Sequence, residues 1–204
     1  MALSKIQADS MNLADTYAFT GTVSGTPNDM KHLLTTTISS AVNSVSFGST
    51  YVNSSYPVYV LYFRKVTLSE DSNLAIRIGS GGSVLTDGYR KGGFADSFGG
   101  TAYGGISSGA NENRVPIGGH HENTNGVDNY ISGKVTFFDL RTTGGKKHGV
   151  IECIREGTTG TYRYQNVGWF SGANTSANDI IEFGAMGSSA NMTTGEISLY
   201  GVSA

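Results

Sequence analysis

Short apolar runs separated by clusters of Gly, Asn and Ser recur along this chain, and helical periodicity is almost absent. The strongest run, "PVYVLYFRKV" at 57–66, is apolar at successive positions, which predicts a central strand packed on both faces. In "NLAIRIG" (73–79), Leu74, Ile76 and Ile78 share one face. Short runs with a period of two are typical of β-strands. They constrain the chain to an all-β fold.

The same pattern predicts further strands at 17–23, 32–38, 42–47, 130–140, 148–156, 161–170, 179–186 and 195–202. No alternation of strands with helices appears, which argues against a parallel sheet. We therefore expect an antiparallel two-sheet β-sandwich, jelly-roll-like, over residues 26–204. We expect residues 1–25 to form an amino-terminal arm, in which residues 5–17 are either a short helix or an extended segment.

A Gly-rich insertion interrupts the sandwich at residues 79–129. It contains repeated Gly-Gly pairs and isolated aromatic residues, and we expect no clear strand within it. A span of this length without secondary structure is usually functional or flexible. Because glycine-rich backbone is entropically costly to order, we expect its order to depend on packing, for example against a neighbouring subunit.

The charge balance limits the partners of the chain. Charged residues make up 15% of the sequence, against about 25% in an average soluble domain, and the net charge is −2. Nucleic acid is therefore not expected as the main partner, since phosphate binding requires concentrated Lys and Arg. No apolar run approaches the roughly 18 residues of a membrane span, so no membrane insertion is expected. The amino terminus lacks the apolar segment of a secretory signal. Cys153 is the sole cysteine and is expected to be a buried, inert thiol.

The residues that carry chemistry in other proteins are not arranged for it here. His120, His121 and Glu122 offer metal donors, but adjacent side chains of an extended segment point to opposite sides. No G-x-S-x-G motif is present. The glutamates at 152, 182 and 196 lie on predicted strands, where alternation indicates a solvent-facing side. We predict no catalytic residues, no cofactor and no metal site, and therefore no enzyme.

Aromatic side chains beside polar groups are the sequence feature that suggests binding. A flat apolar face suits a sugar ring, and a tyrosine also suits a subunit interface at low entropic cost. Both interpretations remain open, with the interface favoured for the tryptophan and the strand tyrosines. Tyr162 and Tyr164 are among the aromatics considered for sugar contact. The candidate receptor or glycan contacts are Tyr89, Phe94, Tyr103 and Trp169.

Three stretches together resemble a group of fibre-like virion structural proteins of marine tailed bacteriophages. They are "LSKIQADSMNLADTYAFTGTVSG" (3–25), "LLTTTISSAVNSVSF" (33–47) running into "YPVYVLYFRKV" (56–66), and "TGEISLYGV" (194–202). Residues 80–130 have no counterpart in this pattern, and the connector "TPNDMKH" (26–32) departs from it. The resemblance implies a jelly-roll sandwich, a location in the virion after assembly in the host cytoplasm, and a homotrimer.

The expected function is that of a tail-fibre or receptor-binding component that contacts a host surface glycan or receptor. A capsid decoration or head-fibre protein is the alternative, and a carbohydrate-binding, lectin-like module is the alternative from another class. The arm would join the chain to other virion proteins. The candidate anchor residues in it are Ile6, Met11, Leu13, Tyr17 and Phe19.

Overall fold

The computed structural model describes residues 30–70, 72–98, 105–107, 112–117, 130–156, 162–171, 176–186 and 189–203. The predicted arm at 1–25, with its five candidate anchor residues, lies outside these ranges, as does the strand predicted at 17–23. No helix occurs in the described ranges, so none there is long and apolar enough to cross a membrane.

The described residues form antiparallel β-strands. In chain order these are β1 (Met30–Ile38), β2 (Ser44–Phe47), β3 (Val58–Leu68), β4 (Leu74–Ser80), β5 (Ser83–Val84), β6 (Tyr89–Phe98), β7 (Gly105–Ser107), β8 (Val115–Ile117), β9 (Ile131–Phe138), β10 (His148–Glu156), β11 (Tyr162–Ser171), β12 (Ile180–Ala185) and β13 (Met192–Val202). The expected strands from β1 to β4 and from β9 to β13 are all present, with boundaries shifted by a few residues.

Two sheets account for these strands. The large sheet has the order β1-β13-β3-β9-β10-β11-β6-β7. The small sheet has the order β2-β12-β4-β5, with β8 also paired to β4. The first strand of the series therefore lies beside the last, and β2 lies beside β12 in the same way. The prediction of an all-β, two-sheet antiparallel sandwich is confirmed.

Period-two alternation places the core between the sheets. Leu74, Ile76 and Ile78 of β4 are buried as predicted, and Ile197 and Leu199 of β13 are buried from the other sheet. Across the interior, the rings of Phe63 on β3 and Phe183 on β12 approach to 5.1 Å between centroids, which joins the two layers. Burial of these apolar faces is the main favourable contribution to folding.

The strand β3 differs from the prediction of a strand packed on both faces. It is interior to the large sheet, flanked by β13 and β9, but it is not packed on both faces. Tyr59, Leu61 and Phe63 are buried, whereas Tyr62 is 39% exposed. The apolar run therefore has a core side and an outward side, on which Val60 is 9% exposed and only Tyr62 of the two is open to solvent.

The Gly-rich insertion also differs from what the sequence predicted. The expectation of no strand within 79–129 is wrong, because β5 to β8 lie there. β6 pairs with β11 over its whole length, from Tyr89 opposite Ser171 to Phe98 opposite Tyr162. Gly93 permits this pairing, since a Cβ at this position would lie 2.3 Å from the Asn166 carbonyl oxygen. Glycine here allows the two strands to pack closely, although propensity arguments treat glycine as a residue that weakens strands.

Candidate binding groove on the large sheet

The outer face of the large sheet carries a row of polar and aromatic side chains that cross-strand register brings together. Ser198 of β13 lies opposite Tyr62 of β3, and Tyr62 lies opposite Lys134 of β9. Lys134 in turn lies opposite Glu152 of β10, which faces Asn166 of β11. These residues come from five different strands, and they point away from the core because each alternates with a buried neighbour.

A shallow depression of about 580 Å³ lies over this row, and we call it the outer-face groove. Its lining includes three tyrosines and four charged residues: Tyr62, Arg64, Lys134, Glu152, Tyr164, Glu196 and Tyr200. The volume is within the range of small-molecule binding sites, roughly 300–1,000 Å³. The floor is antiparallel backbone, so the positions of the side chains are fixed by strand pairing.

Aromatic rings line one end of the groove. The rings of Tyr62 and Tyr200 meet edge to face, with centroids 5.6 Å apart and planes at 88°. His32 of β1 meets Tyr200 at 5.2 Å in a similar arrangement. Such tilted contacts are the favoured geometry of aromatic pairs. Tyr164 of β11 stands on the other side of Lys134, so the tyrosines flank the centre of the groove.

Ion pairs occupy the centre and one border of the groove. Lys134 Nζ lies 2.8 Å from Glu152 Oε2, and Arg64 NH2 lies 3.4 Å from Glu196 Oε2. The hydrogen bond to Glu152 raises the pKa of Lys134. The four charged residues that line the groove are thus two cations and two anions, each paired across neighbouring strands. The groove therefore has polar groups without a net charge.

A chain of hydroxyl contacts borders the aromatic end. Thr35 Oγ1 lies 2.7 Å from Ser198 Oγ across the β1–β13 pair, and His32 Nε2 lies 2.7 Å from Thr35 Oγ1. Thr35 belongs to the uncharged "TTT" segment of β1. Its hydroxyl group cross-links two strands on the outer face, which explains how a hydroxyl-rich strand is held in the sheet.

Two of the predicted receptor or glycan contacts are not at the surface. Tyr89 is fully buried, with its hydroxyl donating to the Ile78 carbonyl at 3.0 Å and accepting from the Ile78 N–H at 2.8 Å. Burial raises the pKa of Tyr89. Trp169 is 2% exposed and packs edge to face on Phe137 at 5.5 Å. The predicted surface role is wrong for both, because period-two alternation directs them into the core.

The other two predicted receptor or glycan contacts are Phe94 and Tyr103. The backbone of Phe94 lies in β6, and its side chain lies outside the described residues, as does Tyr103. Tyr164, considered from sequence for sugar contact, does line the groove. Sequence reasoning missed Tyr62 and Tyr200. The signal was present, because both alternate with buried residues and so face outward.

A second group of polar residues lies on the inner face of the large sheet and is structural. Lys91, Cys153, Arg155 and Gln165 are all buried. Lys91 Nζ donates to the Pro116 carbonyl at 3.4 Å, and Cys153 Sγ lies 3.7 Å from Gln165 Oε1. Burial lowers the pKa of Lys91. The sole cysteine is thus buried, as expected.

Metal ligation finds no support in the described part of the chain, where no three His, Cys, Asp or Glu side chains converge. His120, His121 and Glu122 lie outside it. Glu152, Glu182 and Glu196 are ion-paired with neighbours instead, with Glu182 2.5 Å from Arg77 on the small sheet.

Comparisons with protein-family models, with curated proteins and with solved structures found no match to this chain.

Proposed function

We propose that this chain is a non-enzymatic structural protein of a bacteriophage virion and acts as a tail-fibre or receptor-binding component. The observation that carries the proposal is where the motifs of the resemblance fall in the fold. The segments 33–47, 56–66 and 194–202 contain most of β1, β3 and β13. These three strands are consecutive neighbours in the large sheet, in the order β1-β13-β3. Motifs scattered along the chain thus form one paired block.

We further infer that the sandwich is a jelly roll. Eight strands support this: β1-β13-β3-β9 in the large sheet and β2-β12-β4-β8 in the small one. The chain passes repeatedly between the sheets, and its early strands pair with its late ones, as two Greek-key motifs require. The strands β10, β11, β6 and β7 would then be an extension of the large sheet beyond β9.

Assembly as a homotrimer is part of the proposal, with residues 1–25 joining the chain to other virion proteins. Among the described strands, β1 is an edge of the large sheet and has few charged residues, so neighbouring copies would meet little repulsion. Burial of surface between copies would add stability that this protein cannot draw from disulfides. A capsid decoration or head-fibre protein is the alternative position within the same virion class.

A second candidate function is a free carbohydrate-binding, lectin-like module. The outer-face groove, with its tyrosines and paired charges, is the observation that favours it. The two functions differ in assembly: the virion protein is expected as a trimer, and the free module as a monomer.

Gold-labelled antibodies against the purified chain, applied to phage particles whose genome encodes it, test the proposal. We expect label on the tail tip or fibres; label over the capsid would select the decoration alternative. Absence of label from intact and opened particles would overturn a virion role. The native mass of the purified chain checks the trimer independently.

A further inference from the structure

We propose that the outer-face groove is a binding site for an uncharged oligosaccharide. The assignment of this sugar to a host surface rests on the proposed function, whereas binding itself is a property of the isolated chain. The argument starts from the residues of the groove and what each can offer a ligand.

The tyrosines supply apolar faces at two separated positions. Tyr62 and Tyr200 lie on β3 and β13, and Tyr164 lies on β11, beyond β9 and β10. Strands are spaced by about 4.8 Å, so the distance from β3 to β11 is roughly 14 Å across the sheet. A ligand that contacts both positions must be longer than one sugar ring. Aromatic rings held by neighbouring side chains bind such faces with little loss of conformational entropy.

The ion pairs supply hydrogen-bonding groups at fixed positions between the tyrosines. Lys134 and Glu152 are held by one contact of 2.8 Å, and their side chains remain 39% and 34% exposed. An ammonium has three N–H donors and a carboxylate about four acceptor sites, so most of their capacity remains for hydroxyl groups of a ligand. A sugar, which presents donors and acceptors together, matches this arrangement.

The balance of charge selects an uncharged ligand. Both cations of the groove already face carboxylates, through the Lys134–Glu152 and Arg64–Glu196 pairs. An acidic sugar or a phosphate would have to compete with those carboxylates for the same cations. A neutral ligand can bond to the paired groups without separating them, which avoids leaving a charge unpaired.

The same charges argue against a second copy of this chain as the occupant. The cores of protein interfaces are depleted of charged residues, and burial of ion pairs beneath a partner carries a desolvation cost. Four charged side chains line this groove. A hydrated oligosaccharide leaves such groups in contact with water, so it fits the groove better than a subunit does.

The test is binding of the full-length chain to immobilised oligomers of glucose, mannose and galactose, with oligomers of galacturonic acid as the acidic counterpart. We expect binding of a neutral oligomer that is insensitive to added salt. Tyr62→Ala and Tyr164→Ala should each weaken it about tenfold, because each removes a stacking face. Tyr130→Ala is the matched control, since Tyr130 has the same 39% exposure as Tyr62 but lies outside the groove.

The fold of each variant can be read from the fluorescence of Trp169, the sole tryptophan, which is buried in the core. Failure of every neutral oligomer to bind, equal loss in the Tyr130 control, or binding confined to acidic oligomers and abolished by salt would overturn the proposal. So would a change in the native mass on Tyr62→Ala, which would identify the groove as a contact between copies. Labelling of particles is unaffected by these results, so the proposed function stands or falls separately.

Discussion

Tyr59 and Tyr62 stand three residues apart on one strand and differ in almost every physical respect. Tyr59 is fully buried, and its hydroxyl donates to the Asn53 carbonyl at 2.5 Å and accepts from the Asn53 N–H at 2.8 Å. Burial raises the pKa of Tyr59. Tyr62 faces outward in the groove and packs on Tyr200. The inner tyrosines of this sandwich bond to its backbone, whereas the outer ones face the groove.

Truncation of neighbouring residues on β3 is the sharpest test of this difference between the faces. Phe63→Ala removes a ring that packs on Phe183 across the core, and we expect a loss of about 3–5 kcal/mol in the free energy of unfolding. Tyr62→Ala, one residue away on the outer face, should cost less than about 1 kcal/mol. Urea denaturation followed by circular dichroism measures both. Similar losses would show that the two faces are equally structural.

Removal of single hydroxyl groups refines the comparison. Tyr89→Phe removes the hydroxyl that accepts from the buried Ile78 N–H, while the Ile78 carbonyl keeps its hydrogen bond from the Leu85 N–H at 2.9 Å, and we expect a loss of about 1–3 kcal/mol in stability. Tyr200→Phe, at the groove, should leave stability nearly unchanged. Thermal or urea unfolding distinguishes them. A stable Tyr89→Phe variant would mean that this hydroxyl contributes little to joining the sheets.

Glycine substitutions test the β6–β11 pair, in which β11 was predicted from the sequence and β6 was not. A Cβ added at Gly93 would lie 2.3 Å from the Asn166 carbonyl oxygen and 2.6 Å from Val167 Cα, so Gly93→Ala should destabilise by about 1–3 kcal/mol. Gly168→Ala on β11 is the control, because a Cβ there would lie no closer than 3.8 Å to the nearest atom, the Gly92 carbonyl oxygen, which is an ordinary contact. Equal effects of the two substitutions on the unfolding midpoint would contradict close packing at Gly93.

The Lys134–Glu152 pair should give the smallest effect. The pKa of Lys134 is raised in the folded chain, so the pair contributes fully below the ordinary value of 10.5 and is lost as the pH rises through the folded value. Because both side chains are partly exposed, we expect a coupling below about 0.5 kcal/mol. A double-mutant cycle with Lys134→Met and Glu152→Gln, at neutral and strongly alkaline pH, measures it. A coupling that persists in alkali would refute the assignment.

A feature of this fold can be predicted from the sequence when it depends on neighbouring residues, and not when it depends on which strands pair. Alternation within a run is local, so the buried faces of β4, β9 and β13 can be predicted from the amino-acid sequence alone. β6 was missed because "YRKGGFADSF" combines charges and paired glycines, and its strand character comes from pairing with β11. Tyr89 and Trp169 were placed at the surface because their neighbours suggested loops or interfaces, whereas strand phase puts them inside.

The groove lay beyond sequence reasoning for a related reason. Its central row joins positions 62, 134, 152 and 198, and only the register of three strand pairings makes them neighbours. Each residue alone is an ordinary outward side chain. Their convergence is a property of topology, which no single segment encodes.

The alternation of inward and outward side chains along β3 and β13 also separates positions that are under two kinds of evolutionary selection. Leu61 and Leu199 maintain packing, while Tyr62 and Tyr200 beside them face the groove on the outside. Substitutions on the outward positions can therefore accumulate one at a time at little cost to folding. A protein built this way can change what it recognises over generations and inherit an unchanged interior.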